Sequence, residues 1–212
     1  DYPIKYVGHA DLVQTANHEW YMVMLAVRPK NGYTTMGRET FLAKVTWENG
    51  WPVVNPGHGM LTDTVEIDLP SWDIYDATKK VEKVYDFTQM DSLGYEFLML
   101  RNPDDKMYAL DQKQGLQLLC GTETLKEKAS PSYIGVRQQH HHFSSSVTVE
   151  IQNLSEGKKA GIAYVQSNEY HLRVEADKEA AELILCQAGK DEILGKVGLS
   201  GESELEIQMM ID

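Results

Sequence analysis

Apolar and polar residues alternate with a period of two through most of this chain, the signature of strands rather than helices. Trp20 to Arg28 is a nearly unbroken apolar run (Trp-Tyr-Met-Val-Met-Leu-Ala-Val) and predicts a buried strand. Arg38 to Glu48 predicts a second, rich in β-formers at Thr40, Phe41, Val45, Thr46 and Trp47. Asn49-Gly50 readily takes the positive φ angles of a tight hairpin and joins it to Trp51–Val54. Pro56-Gly57-His58-Gly59 then breaks the pattern. The stretch from Thr62 to Thr88 is polar and mixed, with Pro70 and a short helical turn expected at Ala77 to Val84, and it reads as a crossing between domains.

Strand patterns resume beyond it at Glu96–Arg101, Gly115–Cys120 and Tyr133–Gln139. In Ser146–Gln152, Val147, Val149 and Ile151 share one face. Ala160–Gln166 and Glu169–Glu175 follow, with a tight turn at Ser167-Asn168, and Leu205, Ile207, Met209 and Ile211 alternate at the end. Asp177–Ala188 reads two ways. Its composition favours a helix capped by Asp177, whereas the Leu183–Cys186 run favours strand from Glu182 onward, the reading adopted here. The expectation is an all-β chain divided into residues 1–60, a linker 61–88, and a sandwich 89–212 that is incomplete at its C-terminus.

Composition narrows the partners. The 212 residues suffice for one large domain or two modest ones, and the net charge of −12 with scattered Lys and Arg argues against nucleic acid and anionic membranes. The longest apolar run, Tyr21 to Val27, is far too short to span a bilayer. Cys120 and Cys186 both sit in apolar runs, as buried structural thiols do, and no spacing suggests zinc. A soluble protein is expected, with a cytoplasmic and a secreted location in a bacterial type of cell both open.

Two segments carry candidate chemistry. Gly8 before His9 lets the backbone approach a neighbour closely, and His9 is read either as a ligand or hydrogen-bond partner or as a core histidine. Arg38 follows Gly37 at a strand start, where its guanidinium fork suits sugar hydroxyls or a carboxylate, or a structural ion pair. In His140-His141-His142, placed on a strand, only His140 and His142 share a face, which makes a poor metal site. His171 is expected to pack on a sheet face, and Trp47, Trp51 and Trp72 to be buried in blade and linker packing rather than to stack on sugars.

The pairing of GHADLVQT…EWYMV with GRETFLAKVTWENGWPV, residues 8–53, resembles the last propeller blade of glycoside hydrolase family 43, the β-xylosidases and α-L-arabinofuranosidases. SYIGVRQQHHHF and AGIAYVQSNEYHLR resemble the concanavalin-A-like sandwich appended to those enzymes. The resemblance covers nearly the whole chain. It implies the end of a five-bladed β-propeller (1–60) followed by a truncated concanavalin-A-like β-sandwich (89–212), the earlier, N-terminal blades lying outside this chain. It further implies an inverting exo-glycosidase acting on terminal β-D-xylosyl or α-L-arabinofuranosyl units of xylan-derived oligosaccharides. The family's three catalytic carboxylates sit on earlier blades, so no catalytic residue is expected here, and neither Asp11 nor Glu39 takes such a role. Residue by residue, the resemblance makes Arg38 and His9 substrate-binding and places His9 near a calcium ion. Calcium prefers oxygen ligands, so His9 then acts through water or as a brace. His18 stands where the family usually has Gly, and Lys30-Asn31-Gly32-Tyr33 is a variable loop that helps set the substrate. Two alternatives remain: a non-catalytic carbohydrate-binding module, which needs an exposed aromatic platform, and a structural module that stabilises the propeller or mediates homo-oligomerisation.

Overall fold

The apolar run from Trp20 to Val27 becomes the second strand of a four-stranded antiparallel sheet. In this computed structural model, which describes residues 2–67 and 82–211, the chain's contacts divide it into two units, Asp1–Glu82 and Lys83–Asp212. The first unit contains β1 (Lys5–Gln14), β2 (Trp20–Val27), β3 (Glu39–Glu48) and β4 (Trp51–Val54), hydrogen-bonded in that order. Trp20, Met22 and Met24 face Val45, Ala43 and Phe41 across the β2–β3 pair, and Tyr21, Met24, Ala26, Val27, Ala43 and Val45 are buried. Asn49 and Gly50 take φ of 50° and 82°, the two positive values of a type I′ turn, as the Asn-Gly pair predicts.

The period-two pattern does not reveal β1, and the structure shows why. Its pairing with β2 steps from Lys5↔Val27 to Gly8↔Leu25 to Asp11↔Val23, three residues on β1 against two on β2 each time. Each step is a one-residue bulge, and Tyr6 and His9 take φ of 55° and 51° within them. Two insertions scramble the alternation that a pattern search needs. The tryptophans also depart from expectation. Trp47 packs edge-on to Trp20, with ring centroids 5.5 Å apart, yet stays 44% exposed, and Trp51 is 76% exposed because it follows the turn on the outermost strand. Trp72 and most of the expected helical turn at 77–84 lie outside the described residues, and 82–84 are not helical.

The second unit contains β5 (Phe97–Leu98), β6 (Tyr108–Asp111), β7 (Gly115–Leu118), β8 (Gly135–Val136), β9 (Phe143–Glu150), β10 (Ala160–Val165), β11 (His171–Ala176), β12 (Ala180–Gln187), β13 (Lys190–Gly198) and β14 (Glu204–Ile211). β10 to β13 form an antiparallel sheet in chain order, β14 pairs with β9, and β10 lies against both β9 and β14. Ile207 and Met209 of β14 are buried, and so is Ile151, the residue after β9, as the alternation of the two strands requires. No α-helix occurs among the described residues, and none of their helices is long and apolar enough to cross a membrane.

Asp177–Ala188 settles as strand, starting at Ala180, two residues before the expected Glu182. Asp177 caps no helix: its carboxylate accepts from the Glu179 and Ala180 amides at 2.8 and 2.9 Å, closing the β11–β12 turn. The expected strands at 96–101 and 133–139 shrink to β5 and β8, two residues each. The sequence pattern does not reveal β6 or β13; β13 is exposed along its whole length, with Ile193 and Leu194 adjacent, so no alternation marks it.

Candidate functional site

Arg38 is the residue immediately before β3, following Gly37, whose φ of 68° lies in the region that favours glycine. The Gly37 amide donates to Thr34 O at 2.9 Å, which fixes the turn leading into Arg38. Arg38 is exposed and makes no hydrogen bond or ion pair among the described residues, so it is not a structural ion-pair arginine. That role belongs to Arg28, which the sequence reading did not single out. Its Nε and Nη2 donate to Glu39 Oε2 and Oε1 at 3.0 and 2.6 Å, a bidentate pair across the neck of loop 28–38. Glu39 raises the Arg28 guanidinium above its ordinary value through these hydrogen bonds, with Asp63 adding its charge. The loop is itself ordered: Lys30 and Tyr33 exchange two backbone hydrogen bonds of 2.9 Å around Asn31 and Gly32, whose φ values are 52° and 84°.

His9 sits in the second bulge of β1 and is exposed, so it is not a core histidine. Gly8, Leu25 and Thr40 form a row across β1, β2 and β3. His9 lies one position to one side of that row and Arg38 two positions to the other. Two interstrand steps and three positions along the strands separate their backbones by roughly 14 Å. One sheet carries both residues without bringing them into contact. A cavity of about 320 Å³ opens beside the Arg28–Glu39 pair, lined also by Thr40, Phe41, Thr62 and Asp63, but neither His9 nor Arg38 lines it.

Among the described residues, no cluster of His, Cys, Asp and Glu side chains suited to a metal forms around His9, whereas calcium takes six to eight oxygens. Two carboxylates of this unit are already engaged: Glu39 is bound by Arg28, and Glu19 accepts from Lys44 Nζ at 2.5 Å and the Tyr21 hydroxyl at 3.1 Å. The Lys44 contact holds Glu19 below the usual carboxylate range.

One ligand-like cluster does occur, on the sandwich. His171, Cys186 and Asp191 bring Nδ1 or Nε2, Sγ and a carboxylate oxygen within 4.8 Å of one another. The Arg173 guanidinium already engages two of its three members, donating to His171 Nε2 at 3.0 Å and to both Asp191 oxygens at 3.2 and 3.0 Å. Lys126 Nζ adds a contact to Asp191 at 3.2 Å. Two cations on the only carboxylate make this a structural network and not a metal centre. Arg173 hydrogen bonding leads the causes that hold the Asp191 carboxyl down at about 2, and burial raises the Cys186 thiol. Both cysteines are free, Cys186 buried and Cys120 half-buried. His171 packs on the sheet face as expected.

His140, His141 and His142 lie on a bend between β8 and β9, not on a strand, because β8 ends at Val136. Gln138 holds this bend, donating to His140 O at 2.7 Å while accepting from the Tyr164 hydroxyl at 2.6 Å. Of the sandwich aromatics, Tyr133 is buried enough to raise its phenol, Phe143 and Tyr164 pack together at 5.9 Å, and only Tyr170 is substantially exposed. These four form no platform.

Residues 84–211 match the β-xylosidase C-terminal concanavalin A-like domain, and residues 1–52 match glycosyl hydrolases family 43. A xylosidase/arabinosidase of Butyrivibrio fibrisolvens is 42% identical over 93% of this chain and 36% of its own length. A non-reducing end α-L-arabinofuranosidase of Bacteroides ovatus is 36% identical over 81% of this chain and 32% of its own. Among solved structures, a xylan β-1,4-xylosidase from Bacillus halodurans superposes on all of this chain and 42% of its own, with a TM-score of 0.84 and 27% identity. The chain thus spans about a third of the length of these curated relatives.

Proposed function

This chain belongs to glycosyl hydrolase family 43, and on that premise we propose that the whole protein is an inverting exo-glycosidase of xylan-derived oligosaccharides. It removes terminal β-D-xylosyl or α-L-arabinofuranosyl units. Arg38 and His9 bind the sugar of the innermost subsite, and none of the carboxylates of residues 1–212 acts as acid or base. The observation that carries this reading is the state of Arg38: exposed, without a partner among the described residues, on a backbone fixed by Gly37. A guanidinium left unneutralised on an ordered frame is available to hydroxyls that a substrate brings. His9 supplies a second polar edge on the same sheet. Among the described residues no cluster of three His, Cys, Asp or Glu ligands includes His9, and no step is routed through calcium.

An inverting reaction needs two carboxyls about 6.5–9.5 Å apart, with water between one of them and the anomeric carbon. Glu39, the carboxylate next to Arg38 in the chain, does not fit, since Arg28 holds both of its oxygens. In this reading the sandwich is an accessory module and not a sugar binder, because Tyr133, Phe143 and Tyr164 are packed.

The test is hydrolysis of p-nitrophenyl β-D-xyloside and α-L-arabinofuranoside by the whole protein, by its Arg38→Ala variant and by residues 1–212 alone. The expected pattern is an active whole protein, a loss of ~10²–10³ in kcat/KM for Arg38→Ala and no activity from residues 1–212. The first sugar released should have the inverted anomeric configuration by NMR. Unchanged kinetics in Arg38→Ala, or release of internal oligosaccharides, sinks the corresponding claim.

A further inference from the structure

We propose that Arg28 and Glu39 are positioning residues for Arg38, acting through it and not through contacts of their own with the sugar. The inference rests on the reading of Arg38 as a sugar-binding residue. Arg28 is the first residue after β2 and Glu39 the first residue of β3, so together they close the neck of the loop that ends in Arg38. Their two parallel hydrogen bonds, 3.0 and 2.6 Å, are a fork-to-fork contact that resists sliding and rotation together. The pair is partly sheltered, with side chains 38% and 23% exposed, which lessens solvent screening.

Glu39 is covalently next to Arg38, so fixing its side chain fixes the Arg38 Cα, one 3.8 Å virtual bond away, as that spacing generally runs. On the other side, the Gly37–Thr34 hydrogen bond holds the preceding residue. Arg38 is therefore clamped from both sides while its own guanidinium stays unengaged among the described residues. Arg28 has a second effect, on charge. Without it, the Glu39 carboxylate would be the nearest anion in sequence to Arg38 and would compete with the substrate for it. By holding both carboxylate oxygens, Arg28 leaves the Arg38 charge unspent. A displacement of about 1 Å in a substrate-positioning group can lower a rate ~10²-fold, which sets the scale expected here.

A double-mutant cycle in the whole protein tests this, with kcat/KM on p-nitrophenyl β-D-xyloside and α-L-arabinofuranoside, whichever is turned over, and melting temperature as readouts. Arg28→Met alone is expected to lose ~10–100-fold in kcat/KM. In the Arg38→Ala background the same change should cost less than ~2-fold, since its effect passes through a group already gone. Glu39→Gln, nearly isosteric and gentler on folding, should behave the same way. Equal losses in both backgrounds, or unchanged kcat/KM in Arg28→Met and Glu39→Gln, overturn the proposal. If Arg38→Ala costs activity while Arg28→Met does not, only this inference fails. If Arg38→Ala costs nothing, the sugar-binding reading of Arg38 fails and the inference falls with it.

Discussion

The Arg173 guanidinium donates through Nη1 to Nε2 of His171 at 3.0 Å, which fixes the imidazole as neutral with its proton on Nδ1, facing Ser167 O at 3.3 Å. An arginine is only a donor, so Nε2 must accept. His171 is buried, and this burial, with the Arg173 charge beside it, lowers its pKa below the ordinary 6.5. Asp191 faces the same ring and opposes that shift, while Lys126 adds to it. A neutral folded histidine means that the unfolded chain binds the extra proton. Stability is then complete above about pH 6.5 and falls as pH drops through that value towards the lower folded pKa. Urea midpoints of the wild type and His171→Gln between pH 8 and 5 check this. The wild type should show the steeper acid loss, and parallel curves would contradict the assignment.

His18 occupies a left-handed position, φ 62°, in the turn that joins β1 to β2, with its amide on Thr15 O at 3.0 Å. A non-glycine residue is strained there. His18→Gly should raise the unfolding free energy by ~0.5–1 kcal/mol, measured by urea denaturation, without changing kinetics. A loss of stability would mean that the imidazole makes a contact worth more than the strain.

Gly161 allows β10 to approach β11: a Cβ there would collide with the Val174 carbonyl, a backbone atom that cannot turn away. Gly161→Ala should destabilise by ~2–3 kcal/mol, the upper part of the range for overpacking, because the obstacle is backbone, and should lower the melting temperature of the sandwich. Gly195→Ala is the control, because its Cβ meets nothing within 4 Å.

Glu182 is 9% exposed, and its two oxygens accept from Lys159 and Lys196, each at 2.7 Å. These contacts hold its carboxyl below the usual range. Replacing both lysines with Met strands a carboxylate that has little water to solvate it, and the melting temperature should fall. Adding Glu182→Leu should recover most of the loss. A triple variant no better than the double would show that the lysines act through their packing and not their charge.

The residues that the sequence marked as chemical, His9 and Arg38, are where the structure leaves polar groups exposed on one sheet. They stood out because Gly8 and Gly37 precede them. Arg28–Glu39 was not legible, since an arginine and a glutamate eleven residues apart carry no signal until the loop between them is known to close on itself. The same holds for Arg173 and Asp191, eighteen residues apart and joined only because β12 lies between their strands.

The sequence by itself determined what local pattern encodes. The apolar run of β2, the alternation of β9 and β14, and the Asn49-Gly50 turn each follow from side-chain period or backbone preference within a few residues. Tertiary structure alone decided the two bulges of β1, the exposed β13, the exposure of Trp51, and which charges meet. Those features depend on register between strands. Register is set by the sum of many distant contacts, and a one-residue shift sends every side chain to the other face without altering the local pattern.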